Sequence, residues 1–599
     1  MTLLRNLLLL TCCLAAHAAD GVMYRLDFKP FYFETDAGVN AAEQRKVAVR
    51  YAKFVSSTAN YFVDVYGLKN TCFEDYAGLR DPENKDFDRL IRFRLFRTYE
   101  AFLKDFQKRY DTKTIPGAFF GTNRPKDEYD KPSGRWLREI ATSAEGQTEE
   151  EILRHLYHEM GHLFMQTFLV WPVEMPSWIE EGTAELFQFR IGNGTKPEAE
   201  RDERQGWVVE MQTEGSAVPW EEFTKVRNID NLDFTYQDPL RSTIQYAQAW
   251  SVMEFMLASP ERRVAFKAML DAFKKEGEKA VQEANQRRLQ GEAAREFFDE
   301  ALYKVQEAVF KKAYGADLLS VEVRWKDWIR KSYEKDVLKR PILRYHRGDW
   351  YVGRRAESAK TAEEKENALA KAEAIFTECV SVTPTMPEGY VGLGRIALAR
   401  GDAEAAGREF AKASELGTDN FDALLYGGIA RIYAGDPGSA VPGFAKAVAQ
   451  RPTHAMINLY YGQALAMSKG DAALALTHLR RARDLRKELI GRAAMVEGMV
   501  EYAGGDLSAA YISFLRAANV EKTNPVPPLA MALVKVANNE ADEAKALLAQ
   551  AAKENNPFAA TVQELIDAGT PPKLVFGRRG WPLVDGVTIP RDETSQPKE

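Results

Sequence analysis

Apolar and polar positions along this chain follow two regimes that change near residue 340. Upstream, the spacing shifts between strand-like and helical. In "IRFRLFRTY" (91–99) and "GRWLREIATS" (134–143) apolar residues alternate with polar ones, which predicts strands with one buried face. In "AAEQRKVAVRYAKFVSSTANYFVDVYG" (41–67) they recur every three or four positions, which predicts a helix. "PGAFFGTNRPKDEYDKPSG" (116–134) is broken by Gly and Pro and reads as a loop. From residue 146 the pattern is helical and stays so to about Asp336. The expected class is α+β, a small mixed sheet plus a helical lobe, followed by an all-α superhelix.

Downstream, the pattern Ala-x3-(Phe/Leu)-x2-Ala starts at Ala372, Ala406, Ala440, Ala475, Ala510 and Ala544, at spacings of 34 or 35 residues. Its central residue is Phe376, Phe410, Phe444, Leu479, Phe514 and Leu548. Its last is Ala413, Ala447, Ala482, Ala517 and Ala551, with Cys379 in the first copy, so Cys379 reads as a small packing residue. A Gly-Asp turn recurs as "RGD", "AGD", "KGD" and "GGD" from Arg400, Ala434, Lys469 and Gly504. Over residues 341–567 this resembles the tetratricopeptide repeat, with tyrosines such as Tyr390 and Tyr460 where that family's consensus has tryptophan. The resemblance implies a stacked array that binds a substrate or a protein partner. The expected domains are a signal peptide (1–18), an α/β subdomain (19–145), a helical lobe (146–338), the repeats (341–567) and an irregular tail (568–599).

Composition narrows the partners. With 81 basic against 87 acidic residues and a formal charge of −6, the chain has no global basic field to attract nucleic acid or an anionic membrane. The N-terminus "MTLLRNLLLLTCCLAAHAADG" has one cation, a short apolar run and small residues around His17. It reads as a secretory signal cleaved after Ala18 and too short to span a membrane, which points to a secreted or periplasmic protein with no integral membrane segment. Cleavage leaves Cys72 and Cys379, in different expected domains, so no disulfide and no thiol-based zinc site is expected.

Candidate chemistry sits in "HEMGH". Three of the seven histidines, His155, His158 and His162, fall within eight residues. Thr148 and Glu151 form a capping box that should open a helix, with Ile152, Leu156 and Met160 as its buried stripe. His158 and His162, four apart, then share a face, the spacing that lets two imidazoles hold one zinc ion while the adjacent Glu159 acts as general base. His155 lies a turn farther from His162 and reads as an outer partner of the site or a packing residue rather than a ligand. In "EMPSWIEEGTAELFQF", Ser177 and Glu180 form a second capping box, which leaves Glu181 to supply the third ligand and Glu185 to hydrogen-bond a ligand histidine from outside.

H-E-x-x-H followed after 18 residues by Glu181 within "WIEEGTAE" resembles the gluzincin metallopeptidases, especially their aminopeptidase-type branch. "YAQAWSVMEFML" (246–257) resembles the segment that carries that branch's oxyanion-stabilising tyrosine, which implies this role for Tyr246 at the start of a helix. Gln248-Ala249 replaces the usual Lys-Gly, and the G-x-M-E-N element that holds a substrate's amino terminus is absent. The resemblance therefore implies an exported zinc endopeptidase acting on peptide or protein, with Zn²⁺ on His158, His162 and Glu181. Joined to the repeats, the architecture resembles a group of bacterial secreted proteins with peptidase-like domains. Two other readings remain open: a repeat scaffold whose metal site is vestigial, and a zinc amidase acting on a non-peptide or cell-wall amide.

Overall fold

The computed structural model describes residues 23–66, 90–109, 118–123, 137–145, 147, 149–166, 173–190, 197–226, 239–417, 419–486, 489–577 and 582–585. The expected signal, Cys72 and the Thr148 cap lie outside them. The chain forms two compact units, residues 1–347 and 348–599.

In the first unit five strands, β1 (Tyr24–Phe28), β2 (Phe31–Thr35), β3 (Ile91–Phe96), β4 (Ala118–Asn123) and β5 (Leu137–Ser143), form a mixed sheet in the order β1-β2-β3-β5-β4. The central pairs β2/β3 and β3/β5 are parallel; β1 and β4 run antiparallel to their neighbours at the two edges. Parallel neighbours need a crossover, and helix α1 (Ala41–Tyr66) supplies one between β2 and β3. Its Tyr51 stacks on Phe33 at 5.7 Å. The opposite face carries α2 (Tyr99–Arg109), whose Phe106 meets Phe119 at 4.8 Å.

Strand β4 corrects the expected loop at 116–134. Only three apolar-to-small residues precede Gly121, too few to show alternation, yet the strand pairs with β5 from Ala118 opposite Thr142 to Asn123 opposite Leu137. From β5 the chain turns into α3 (Glu149–Gln166), which packs back on β4 and β5. Then follow α4 (Ser177–Arg190), α5 (Pro197–Glu214), the short α6 (Trp220–Phe223), α7 (Pro239–Leu257), α8 (Pro260–Arg287), α9 (Gly291–Tyr314), α10 (Leu318–Lys339) and α11 (Pro341–Trp350). Residues 341–347, expected in the repeats, belong to this first unit: a Cβ on Gly206 of α5 would lie 2.7 Å from His346 Cβ.

The second unit is an array of helix pairs. The segment from Gly348, ending in a π-helical turn at Tyr351–Arg355, packs on α12 (Ala362–Val382). The next pairs are α13 (Pro387–Ala399) with α14 (Ala403–Leu416), α15 (Phe421–Tyr433) with α16 (Val441–Gln450) and α17 (Ala455–Met467) with α18 (Ala472–Leu485). After them come α19 (Ile490–Ala503) with α20 (Leu507–Val520) and α21 (Val526–Ala537) with α22 (Ala541–Lys553), then a last helix α23 (Ala559–Asp567). Every Ala, Cys, Phe and Leu of the repeated pattern is at most 2% exposed. The sequence reading missed what these side chains pack against. Glycines on the first helix of three successive pairs make the room: a Cβ on Gly428 would lie 2.4 Å from Phe444, on Gly462 2.6 Å from Leu479, and on Gly498 2.5 Å from Phe514.

The turns repeat for a physical reason as well. Gly401, Gly435 and Gly505 take left-handed φ values of 84°, 83° and 83°, which end one helix. Asp402, Asp471 and Asp506 then cap the next by accepting the N–H of Ala405, Leu474 and Ala509 at 2.8, 3.0 and 3.0 Å. At the joint of α18, α19 and α20 buried acids add ionic contacts to the apolar packing. Buried Glu497 meets Arg483 at 2.9 Å, while Glu501 accepts from Arg480 at 3.1 Å and from the Ser513 hydroxyl at 2.7 Å. The tail expected to be irregular contains two short antiparallel strands, β6 (Leu574–Phe576) and β7 (Pro582–Val584).

Two glycines of the array should respond oppositely to alanine. Gly407 lies within α14 with nothing within 4 Å of a new Cβ, so Gly407→Ala should stabilise by roughly 0.5–1 kcal/mol. Gly428→Ala drives a methyl into the Phe444 ring and should cost about 1–3 kcal/mol. Urea unfolding followed by circular dichroism separates the two.

Candidate metal centre

Helix α3 begins with Glu149, Glu150 and Glu151, whose charges favour a helix N-terminus, and Arg50 of α1 pairs with Glu149. Ile152, Leu153, Leu156, Met160 and Leu163 are buried, which turns His158, Glu159 and His162 to the half-buried flank. Beneath them Phe164 packs on Phe62 of α1 at 4.4 Å and on Phe187 of α4 at 5.3 Å.

Helix α4 is buried over most of its length. Its start corrects the expected Ser177/Glu180 capping box. Pro176 supplies the first carbonyl acceptor, to Ile179 and Glu180, and the Ser177 N–H donates to the Tyr303 phenol of α9 at 2.9 Å. That phenol donates on to the Val226 carbonyl at 3.0 Å. Two glycines then set how closely α4 approaches its neighbours. A Cβ on Gly161 would stand 2.4 Å from Ala184 Cα, and one on Gly182 would stand 2.7 Å from the Ala249 carbonyl oxygen of α7. Only glycine permits these crossings.

The α3–α4 crossing brings His158, His162 and Glu181 together. The two Nε2 atoms are 3.3 Å apart, and Glu181 Oε2 lies 3.7 Å from each. The 3.7 Å separations exceed a hydrogen bond. A triangle with these sides has a point about 2.1 Å from all three corners, the length of a zinc–nitrogen or zinc–oxygen bond. Two imidazoles and one carboxylate are a donor set that zinc takes. The donors fit a zinc ion.

The outer nitrogens have unlike partners. Nδ1 of His158 donates to the Gln188 amide oxygen at 3.0 Å. Glu185, expected in that role, stands 3.8 Å away, and its other oxygen accepts from Arg204 of α5 at 3.2 Å. Nδ1 of His162 faces Glu180 at 3.4 Å, so Glu180 backs a ligand histidine rather than capping the helix. In the metal-free site burial holds His158 well below the ordinary histidine range, assisted by the His162 charge. Burial acts on His162 in the same sense, but Glu181, Glu180 and Glu159 overcome it and push His162 up to about 10.

Sequence reasoning missed Gln188 and Arg204. Gln188 was within reach of it, since Glu181, Glu185 and Gln188 are spaced i, i+4, i+7 on one face of α4. Arg204 carries no local signal: it arrives from α5, where its guanidinium lies 5.0 Å from the Trp207 ring centre.

Of the other candidates, Glu159 is half-exposed on α3 and acts electrostatically on His162. His155 accepts a packing role: its Nδ1 bonds the Gln147 side chain at 3.1 Å, which in turn donates to the Ser143 carbonyl. Tyr246 does not open a helix. Helix α7 begins at Pro239, a residue preorganised for a first turn, and Tyr246 lies two turns inside, half-exposed, one turn before the Ala249 crossing. Trp250, Met253 and Leu257 turn inward as expected. Gln248 clasps the backbone of Val218, accepting its N–H at 2.8 Å and donating to its carbonyl at 2.7 Å.

No known family's sequence model matches this chain, and no curated protein matches it. Among solved structures it is similar to YrrB, described as a TPR protein with an unusual peptide-binding site, at 17% identity over 32% of this chain and 92% of that one, with a TM-score of 0.26. It is similar to PilW, described as a widely conserved type IV pilus biogenesis factor, at 19% identity over 34% and 92%, with a TM-score of 0.30. To PilF of Pseudomonas aeruginosa it is similar at 15% identity over 38% and 99%, with a TM-score of 0.31. At these scores the likeness adds nothing to what the helix pairs and their period already show.

Zinc affinity measured by competition with a chromogenic chelator should rank the carboxylates and the amide. Glu181→Ala removes a donor and should abolish tight binding. Glu180→Gln and Gln188→Leu, which change only the outer partners, should each weaken it by roughly 10–100-fold. Equal affinity in Gln188→Leu and the unaltered chain would mean that this amide does not orient His158.

Proposed function

We propose that this protein is an exported zinc-dependent peptidase, acting as an endopeptidase, in which the helix-pair array recruits the polypeptide. The observation that supports this most is the donor triangle of His158, His162 and Glu181, with Glu159 beside it on the same helix. A zinc ion held there supplies a Lewis acid and lowers the pKa of a water toward neutrality. Glu159 takes the proton from the attacking water and returns it to the leaving amine. Gln188 and Glu180 keep the two imidazoles turned with Nε2 inward. The Tyr246 phenol donates to the oxyanion that develops at the carbonyl. The N-terminal apolar segment supports export, and among the described residues no helix is long and apolar enough to cross a membrane.

A second reading keeps the array as the working part, an interaction scaffold with a vestigial metal site. The regular helix pairs support it, since such stacks present extended binding surfaces. An amidase acting on cell-wall material shares the first reading's chemistry and differs only in substrate. The two hydrolytic readings both need Glu159 as the base, and the scaffold reading does not.

Turnover of a peptide library by the zinc-loaded chain, with a chelator control, tests the proposal. Glu159→Gln should keep one zinc per chain and lower kcat by roughly 10²–10⁴-fold. Tyr246→Phe should keep zinc and KM and lower kcat by about 10²–10³-fold. A zinc-loaded chain inactive on every peptide but able to release amine from cell-wall amides would move the substrate class. Inactivity on both, with partner binding intact in Glu159→Gln, would favour the scaffold.

A further inference from the structure

Strands β6 and β7 belong to no repeat, yet they are packed against the array. β7 lies on α19 and α21, the first helices of the last two pairs. The Asp585 N–H donates to the Lys573 carbonyl at 2.8 Å and closes the ribbon. Its register sets Leu574 opposite Val584 and Phe576 opposite Pro582, so one face of the ribbon is wholly apolar. Val584 is 1% exposed within a cluster that includes Met495 and Met499 of α19 and Met531 of α21. Phe576 reaches this cluster and also the one formed by the preceding repeats.

An end cap would be the bland account of such an element. The end of the array, however, is already covered by α23, which packs on α22. A two-stranded ribbon is marginal on its own, so this one keeps its form through the surface it lies on. The cluster that buries Val584 includes three methionines, the side chain that adapts to different apolar shapes and recurs where a face must accept several sequences.

We propose that the ribbon is a built-in competitor: its strands, Leu574–Phe576 and Pro582–Val584, cover the face of α19 and α21 at which the array takes an extended apolar segment of another polypeptide, and that segment must displace them. The inference deepens the reading of the array as the recruiting part, and it is independent of zinc. Binding recovered in a chain without turnover leaves it standing.

The test uses the full chain and a fluorescein-labelled peptide of residues 571–585, read by fluorescence anisotropy. Val584→Asp and Phe576→Asp each put a charge on the apolar face and should release the ribbon. Both variants are expected to bind the peptide at least tenfold more tightly than the unaltered chain, to ignore a scrambled peptide, and to keep the helical melting transition. Failure of both variants to bind better than the unaltered chain overturns the proposal. So does loss of the array's melting transition in both, which makes the ribbon a structural part. A shift to dimers by light scattering in the unaltered chain, lost in both variants, would assign the face to a second copy's ribbon and overturn the intramolecular assignment.

Discussion

The metal centre depends on one steric fact, the contact of Gly161 with Ala184. With a Cβ in place at 161, the clash with the Ala184 backbone would force α3 and α4 apart. The histidines stand on α3 and the carboxylate on α4, and no side-chain rotation recovers a lost ångström for all three donors at once. Backbone approach thus sets donor separation. The aromatic contacts of Phe164 with Phe62 and Phe187 hold the same crossing from below, and the Tyr303 phenol fixes the register of α4 by taking its first N–H. Gly182 does for α4 and α7 what Gly161 does for α3 and α4.

Charge is arranged around this crossing with economy. Glu159, Glu180, Glu181 and Glu185 all stand on the two helices, and a buried site could not hold four uncompensated carboxylates. Glu185 is paired with Arg204, and three carboxylates outweigh the effect of burial on His162 and push it upward. His158 is backed by a neutral amide instead. The two histidines of the candidate site are therefore backed differently, His162 by a carboxylate and His158 by an amide.

Much of this was legible in the sequence because the signals are local. The i, i+4 spacing of His158 and His162, the alternation at 91–96 and 137–143 and the 34-residue period each need only neighbouring residues to be read. What the sequence hid was carried between elements. Glu180 looked spent on a cap because Ser177 precedes it by three, but the Ser177 N–H goes to Tyr303, 126 residues away. Strand β4 was hidden because an edge strand earns its place from its partner β5 rather than from its own three apolar residues. Glycines 428, 462 and 498 recur at nearly the repeat period, yet their purpose appears only when the aromatic or leucine of the following helix is seen against them.

The joint at Glu497 and Glu501 makes the array mechanically uneven. In a stack where each pair touches only its neighbours, stability is a sum of nearest-neighbour terms, and the stack opens at its weakest interface. Most interfaces here are apolar, and an apolar interface can slide by fractions of an ångström at little cost. Buried carboxylates such as Glu497 and Glu501 resist such slippage, because a small displacement would leave a desolvated charge without its partner. Sliding between helix pairs is therefore expected to cost most where α19 meets α18 and α20, because buried Glu497 and Glu501 would lose their partners there.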